Sequence, residues 1–122
     1  MATFRSFEDI NAWQAGRELT RHVYCISRTG AFAKDFALRN QMRRAAISIT
    51  SNIAEGFERD SRSAFLHFLS IAKGSAGEVR SQLYVALDEG YIDRATFETL
   101  HDLSKSTIRQ IHGLIKYLNT ID

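Results

Sequence analysis

Apolar residues recur at intervals of three and four along four long stretches of the chain, which is the spacing of one helix face. In the first stretch, about residues 7–29, this arc comprises Ala12, Ala15, Gly16, Leu19, Val23 and Ile26. In the second, about residues 35–57, it comprises Met42, Ala46, Ile49, Ile53 and Phe57. Strand-like alternation is absent at useful length. The pattern therefore predicts an all-α protein.

The second half of the chain continues the helical pattern. The third stretch, about residues 61–89, carries Phe65, Phe68, Leu69, Ala72, Ala76, Val79, Leu83, Ala86 and Leu87 on one face. The fourth, about residues 93–120, carries Phe97, Leu100, Thr107, Ile111, Leu114, Leu118 and Ile121. Because only a few residues join successive stretches, neighbouring helices are expected to be antiparallel. Residues 1–122 are thus predicted to form one domain, an up-down-up-down four-helix bundle.

Polar residues and glycines mark the predicted helix ends. Ser6 and Asp93 are placed to cap the N-termini of the first and fourth helices. Gly30 and Gly90 are placed to end the first and third helices in the left-handed conformation. The sequence contains no proline, so no residue of this type interrupts the long helices.

The composition excludes several classes of protein. A chain of 122 residues with 44% hydrophobic and 25% charged residues is typical of one folded domain, not of a disordered segment. The single cysteine, Cys25, excludes a disulfide framework, and we expect it to be a small buried residue. The chain has neither a signal-peptide pattern nor a long apolar run, so we expect a cytoplasmic protein without membrane contact.

Catalytic and metal-binding patterns are weak. Glu98-Thr99-Leu100-His101 has the Glu-x-x-His spacing of di-iron bundles, but it occurs once and points away from the apolar seam. Glu18 and His22 lie one turn apart without a third ligand. Gly74-Ser75-Ala76-Gly77 lacks the strand and the lysine of a phosphate-binding loop. We therefore expect no enzymatic activity, no metal and no cofactor.

Several residues outside the predicted core indicate a surface that a second chain buries. Small residues line the third helix opposite its apolar arc, although each helix-interior glycine costs about 1 kcal/mol relative to alanine. They would let another backbone approach closely; tolerated surface glycines are the alternative. The second helix has a polar stripe. The first helix has two aromatic residues outside its apolar arc, which contact either a partner chain or a neighbouring helix. The candidate oligomer interface comprises Trp13, Tyr24, Arg44, Ser48, Asn52, Glu55, Ser70, Gly74, Gly77 and Ser81.

Basic residues form two groups that are candidates for binding nucleic acid. One group recurs at intervals of four, three and four on the polar side of the fourth helix, a stripe that can follow a phosphate backbone. It comprises Lys105, Arg109, His112 and Lys116. The other is a cluster on the second helix, Arg39, Arg43 and Arg44, whose guanidinium forks suit phosphate. A solvated helix face is the alternative for both, and the net charge of +2 permits nucleic-acid contact without requiring it.

Four segments resemble the bacterial four helix bundle protein family, also called ribosomal RNA intervening-sequence proteins, some of which are encoded within large-subunit ribosomal RNA genes. They are Gln41–Ile49, Ser51–Gly56, Phe68–Glu78 and Gly90–Ile92. The resemblance covers nearly the whole chain. A related branch is the accessory protein of diversity-generating retroelements, which works with a reverse transcriptase and nucleic acid.

The resemblance implies a homopentamer of bundles around a central channel, without an established activity. In the retroelement branch, basic residues are credited with nucleic-acid binding. Arg43 and Arg44 match the paired arginines of the family, and Asn52 and Glu55 match its Asn-Ile-Ala-Glu-Gly element.

Two functions remain open at this point. The first is a non-enzymatic oligomeric bundle that contacts RNA or DNA through its basic residues. The second is a protein-binding scaffold or accessory subunit with no nucleic-acid contact. Reversing the charge of Arg43 is expected to remove nucleic-acid binding under the first hypothesis and assembly under the second.

Overall fold

The computed structural model describes residues 4–121, which form a 3-10 turn and five α-helices. The turn is Phe7–Asp9, and the helices are α1 (Asn11–Ser27), α2 (Gly30–Lys34), α3 (Phe36–Glu58), α4 (Arg62–Asp88) and α5 (Arg94–Thr120). The four long helices pack around one apolar core, with α3 against α4, α4 against α5, and α1 against both α3 and α5. The all-α helical bundle is therefore confirmed.

The first predicted helix differs most from the structure. Because Ile10 is extended, with φ −81° and ψ 121°, α1 begins at Asn11 and Ser6 caps only the preceding turn, without a side-chain hydrogen bond. The side chain of Ile10 is buried. The extended backbone at this residue therefore adds to the core an apolar side chain that the helical periodicity did not include. Glu8 and Asp9 consequently lie in the turn rather than in the first turn of α1.

The segment after α1 contains a short helix that the periodicity did not predict. Gly30 does adopt a left-handed φ of +64°, but it opens α2 instead of ending α1, which already stops at Ser27. Phe32 anchors α2 because it is buried and stacks on Tyr91 at a ring-centroid distance of 5.2 Å.

The other helix ends lie within one residue of their predicted positions, and the predicted caps Asp93 and Gly90 are formed. Asp35, Ser61 and Asp93 each accept a hydrogen bond from the backbone N–H three residues later. Gly90 has a φ of +76°, and the N–H of Tyr91 donates to the carbonyl of Ala86 across it. This pattern satisfies the last carbonyls of α4.

Most of the predicted core residues are buried. The residues that are half-buried instead lie at the margins of the apolar faces; they are Ala15, Ile26, Phe57, Phe68, Leu87 and Ile121. Within residues 4–121, no helix combines the length and the apolar character needed to cross a bilayer.

Candidate nucleic-acid interface

Two contacts align α4 with α5 along one side of the bundle. Lys73 Nζ donates a hydrogen bond to His112 Nδ1 (3.2 Å), because an ammonium group can donate hydrogen bonds but cannot accept them. Arg80 Nε donates to His101 Nε2 (3.4 Å). Because the later residue of α4 meets the earlier residue of α5, the two helices run antiparallel.

This alignment brings the basic stripe of α5 beside basic residues of α4. His101, Lys105, His112 and Lys116 recur at intervals of four, seven and four, and therefore share an arc of about 60°. We call the resulting surface the α4–α5 basic face. It comprises Lys73, Arg80, Arg94, Lys105, Arg109 and Lys116. From Arg94 to Lys116 it is about 33 Å long, at a rise of 1.5 Å per residue.

The charges of the α4–α5 basic face are not neutralised by ion pairs. Among residues 4–121, the ion pairs join Glu18 to Arg21 and His22 on α1, and Glu55 to Arg59 at the end of α3. Three exposed carboxylates share these helix faces, Glu98 and Asp102 on α5 and Asp88 on α4, against six lysine and arginine side chains. The face therefore keeps an excess of positive charge in contact with solvent.

Lys73, Arg80 and Arg94 were missing from the sequence-based candidates. Lys73 and Arg80 lie seven residues apart on α4, a spacing that places both on the same side of a helix. Together with the antiparallel helix α5 beside it, this spacing on α4 could have identified both residues as part of a basic surface. Lys105, Arg109 and Lys116 are exposed, in agreement with their predicted place on the polar side of the fourth helix.

The predicted cluster of arginines on α3 does not form one surface. Arg43 is half-buried: its Nε donates to Ser27 Oγ (2.9 Å), and its guanidinium lies 4.5 Å from the ring centroid of Tyr24. Arg39 Nη1 donates to the carbonyl of Ala33 (2.8 Å). These two arginines therefore connect α3 to α1 and α2.

Arg44 lies on another side of α3. It is exposed and borders a shallow depression that Ser48, Ser75 and Glu78 also line. Nucleic-acid binding by Arg39, Arg43 and Arg44 stays a prediction, but the three side chains do not act from a common patch.

One residue of the predicted polar stripe on α3, Ser48, takes part in packing between helices, and Asn52 binds it from the next turn of α3. Ser75 Oγ donates to Ser48 Oγ (2.8 Å), and Asn52 Nδ2 donates to both the carbonyl (2.7 Å) and the Oγ (2.9 Å) of Ser48. Placing Ser48 opposite the core was therefore wrong, because it faces α4. Glu55 is exposed and pairs with Arg59 (2.7 Å).

The two aromatic candidates of α1 make contacts within their own chain. Trp13 is half-buried, and its ring meets Phe7 edge-on at 5.2 Å. Tyr24, also half-buried, lies beneath the guanidinium of Arg43. The sequence left open whether these residues contact a neighbouring segment of the same chain or a partner chain. The structure contains the contact within the chain, and burial by a partner chain stays a prediction.

The small residues of α4 lie outside the core, as predicted. Ser70, Gly74 and Ser81 are exposed, and Gly77 is half-buried. A Cβ built at Gly74 or at Gly77 would meet no atom within 4 Å. Among residues 4–121, no other segment uses the close approach that these glycines permit.

The candidate metal ligands are used in other ways. Glu18 accepts a hydrogen bond from Arg21 Nη2 (2.6 Å), the main reason that the pKa of this carboxylate is lowered, and it also contacts His22 Nε2 (3.0 Å). Within the described part of the chain, no three His, Cys, Asp or Glu side chains are grouped to hold a metal ion. Cys25 is exposed, so its predicted burial was wrong.

Comparison with known proteins gives a match to one protein family. Residues 8–113 match the family model described as 23S rRNA-intervening sequence protein. A crystal structure of a protein with unknown function from the S23 ribosomal protein family of Bacteroides thetaiotaomicron is similar, with a TM-score of 0.78 and 26% sequence identity. The similarity covers 86% of this chain and 95% of that one. No curated protein matches the chain.

Proposed function

The chain belongs to the 23S rRNA-intervening sequence protein family, and from that premise we propose that it is a non-enzymatic, oligomeric helical bundle that binds nucleic acid. The observation that carries the proposal is the α4–α5 basic face, where six basic side chains follow two antiparallel helices without ion pairs among residues 4–121. The related Bacteroides protein is described as one of unknown function, so the ligand is argued from this chain's own residues.

The length and charge of the face suit a phosphate backbone. Lys105 and Lys116 are exposed and lie about 16 Å apart along α5. Each phosphate that such a residue neutralises releases condensed counterions, which favours binding at low salt. If all six residues contact phosphates of a single strand, the slope of log K against log salt is expected to be about −4.

The experiment compares two double variants with the same change in charge. Fluorescence anisotropy is measured with a labelled 20-nucleotide single-stranded RNA of mixed sequence between 50 and 200 mM salt. Lys105→Glu with Lys116→Glu should weaken binding more than about tenfold and reduce the salt slope by about 1.4, since two phosphate contacts are lost. The control, Arg28→Glu with Lys34→Glu, alters exposed residues outside the face and should change the dissociation constant less than about threefold.

Equal losses in both double variants would indicate attraction by net charge and contradict a defined site. Absence of binding by the wild-type protein at 50 mM salt would contradict the proposal as a whole. A protein-binding scaffold would then be the better account, with Phe36, whose side chain is 63% exposed, as a candidate anchor.

Self-association is the second part of the proposal, and the resemblance to the four helix bundle family makes a homopentamer the expected form. It is supported by Ile47, Ile71 and Val85 on α3 and α4, each 40–45% exposed, and by the open glycines of α4. Burial of such side chains by a partner removes apolar surface from water. Light scattering should give five times the 13.8 kDa mass of the chain; 13.8 kDa at all concentrations would contradict self-association.

A further inference from the structure

We infer that the α4–α5 basic face takes single-stranded nucleic acid in preference to duplex, with a base stacked on Tyr84. This inference rests on the proposed function, because it specifies the substrate of the same surface. Tyr84 is 48% exposed on α4, and its contacts place it between Arg80 and Arg94 of the face.

Two neighbouring rings hold Tyr84 in a defined orientation. Its ring meets the buried Phe97 edge-on at a centroid distance of 4.9 Å, and meets His101 at 5.5 Å with an interplanar angle of 81°. His101 in turn stacks on Phe97 at 5.1 Å. Because the tyrosine ring is already held by these contacts, it loses little freedom when a further ring stacks on it.

Basic groups lie on both sides of this aromatic cluster. Arg80 Nε and Tyr84 Oη both lie 3.4 Å from His101 Nε2, which places the guanidinium next to the phenol. On the other side, the guanidinium of Arg94 lies 5.8 Å from the ring centroid of Phe97. A strand whose base stacks on Tyr84 can therefore place its flanking phosphates near a cation on either side.

The position of Tyr84 differs from that of other exposed aromatic residues. Phe36 is 63% exposed and has the guanidinium of Arg39 4.7 Å from its ring centroid, but it lies on α3, outside the α4–α5 basic face. Tyr117 lines a groove of about 540 Å³ between α1 and α5, where Arg109 is the one residue of the face among the lining side chains. At Tyr84, by contrast, an exposed ring lies within the basic surface itself.

The combination favours single strands for a physical reason. An exposed aromatic ring stacks on an unpaired base of any sequence, whereas the bases of a duplex are already stacked on one another. Phosphate contacts stabilise both forms, but stacking on Tyr84 adds only to the single-stranded complex. Stacking of one base is worth about tenfold in affinity.

The experiment uses one mixed 20-nucleotide sequence as labelled single-stranded RNA, as single-stranded DNA and as duplex DNA, with anisotropy measured at 100 mM salt. The wild-type protein should bind both single strands about tenfold more tightly than the duplex. Tyr84→Ala should lose about tenfold for both single strands and change less than twofold for the duplex. Tyr84→Phe should retain wild-type affinity because it keeps the ring, and Phe36→Ala, at an exposed aromatic residue of α3, serves as the control outside the face.

A second measurement reports stacking directly. A strand that carries 2-aminopurine should be quenched by the wild-type protein and by Tyr84→Phe, and less by Tyr84→Ala at saturation. Equal affinity for single strands and duplex, or a Tyr84→Ala variant that binds single strands like the wild type, would overturn the inference and leave the proposed function standing. Absence of binding to all three probes would overturn both.

Discussion

Gly16 on α1 faces Ile49 on α3 so closely that a Cβ added to the glycine would lie 2.8 Å from Ile49 Cγ2. One turn later, Thr20 Oγ1 lies 2.8 Å from the Gly16 carbonyl and 3.1 Å from the Ala46 carbonyl, to both of which it donates. The missing Cβ therefore lets α1 and α3 approach, and the threonine hydroxyl links the two helices.

Replacing Gly16 with alanine should destabilise the protein. Ile49 is fully buried and β-branched, so it has little freedom to move away from the added methyl group. Overpacking of this kind costs about 1–3 kcal/mol in the free energy of unfolding, which urea denaturation measures. Gly113→Ala is the control: a Cβ there meets no atom within 4 Å, and the variant should gain up to about 1 kcal/mol. Equal stability of Gly16→Ala and the wild type would refute the close packing of α1 and α3.

Asp35 makes the stability of the fold sensitive to acid. Its Oδ1 accepts from the N–H of Leu38 (3.1 Å), its Oδ2 accepts from the hydroxyl of Tyr91 (2.8 Å), and these bonds, the first above all, lower the pKa of the carboxylate. A lowered pKa in the folded state means that this stabilisation is complete above the unfolded value of about 3.9 and is lost as the pH falls through the folded value.

Asp35→Ala should therefore lower the melting temperature at pH 7 by more than it does at pH 3. Circular dichroism at both pH values measures the two differences. Tyr91→Phe removes one of the two bonds and should have a smaller effect at pH 7. A difference between wild type and Asp35→Ala that is the same at both pH values would show that the charge of Asp35 is not involved.

The open glycines of α4 provide a test of self-association. Gly74→Leu and Gly77→Leu should leave the helix content unchanged, because no other segment of residues 4–121 lies within 4 Å of the added Cβ, but should reduce the mass measured by light scattering. Gly113→Leu, also at an open helix position, should leave the mass unchanged. Wild-type mass in both α4 variants would place the interface elsewhere.

Arg43 is expected to matter for folding more than for nucleic acid. Arg43→Met removes the hydrogen bond to Ser27 and the contact with the ring of Tyr24, and should cost about 1–2 kcal/mol in urea denaturation. Arg44→Met, at an exposed position, should change stability by less than about 0.5 kcal/mol. RNA affinity reduced more than tenfold by Arg43→Met, with stability unchanged, would favour the α3 arginines as the site.

Hydrophobic periodicity was sufficient to predict the long helices and most of their buried residues. Leu19, Ile49, Leu83 and Ile111 are buried as predicted, because a helix in a bundle turns the same face toward the core along its whole length. The helix α2 could not be predicted in this way, since five residues with one buried side chain, Phe32, carry no period.

The glycines show that the residue pattern of one helix does not predict where two helices approach each other closely. The pattern drew attention to Gly74 and Gly77, yet the glycines that bring helices together within the chain are Gly16 and Gly56. At Gly56, an added Cβ would lie 2.8 Å from Phe68 Cβ of α4. Close approach depends on the residue opposite, and that residue belongs to another helix.

The same limit applied to the candidate site. Lys105 and Lys116 were predicted from the spacing along one helix, but grouping them with Lys73 and Arg80 requires knowing which helices are neighbours. The arginines of α3 appeared to form a cluster because they are close in sequence. Their side chains diverge, since residues 43 and 44 point about 100° apart around a helix.

Lysine footprinting tests the central claim most directly. The chain has four lysines: Lys73, Lys105 and Lys116 belong to the α4–α5 basic face, and Lys34 ends α2. The acetylation rate of each is measured by mass spectrometry with and without saturating single-stranded RNA. We predict at least threefold slower acetylation of Lys73, Lys105 and Lys116 with RNA, and an unchanged rate at Lys34. Unchanged rates at all three lysines of the face while RNA is bound, or protection of Lys34 alone, would contradict the account.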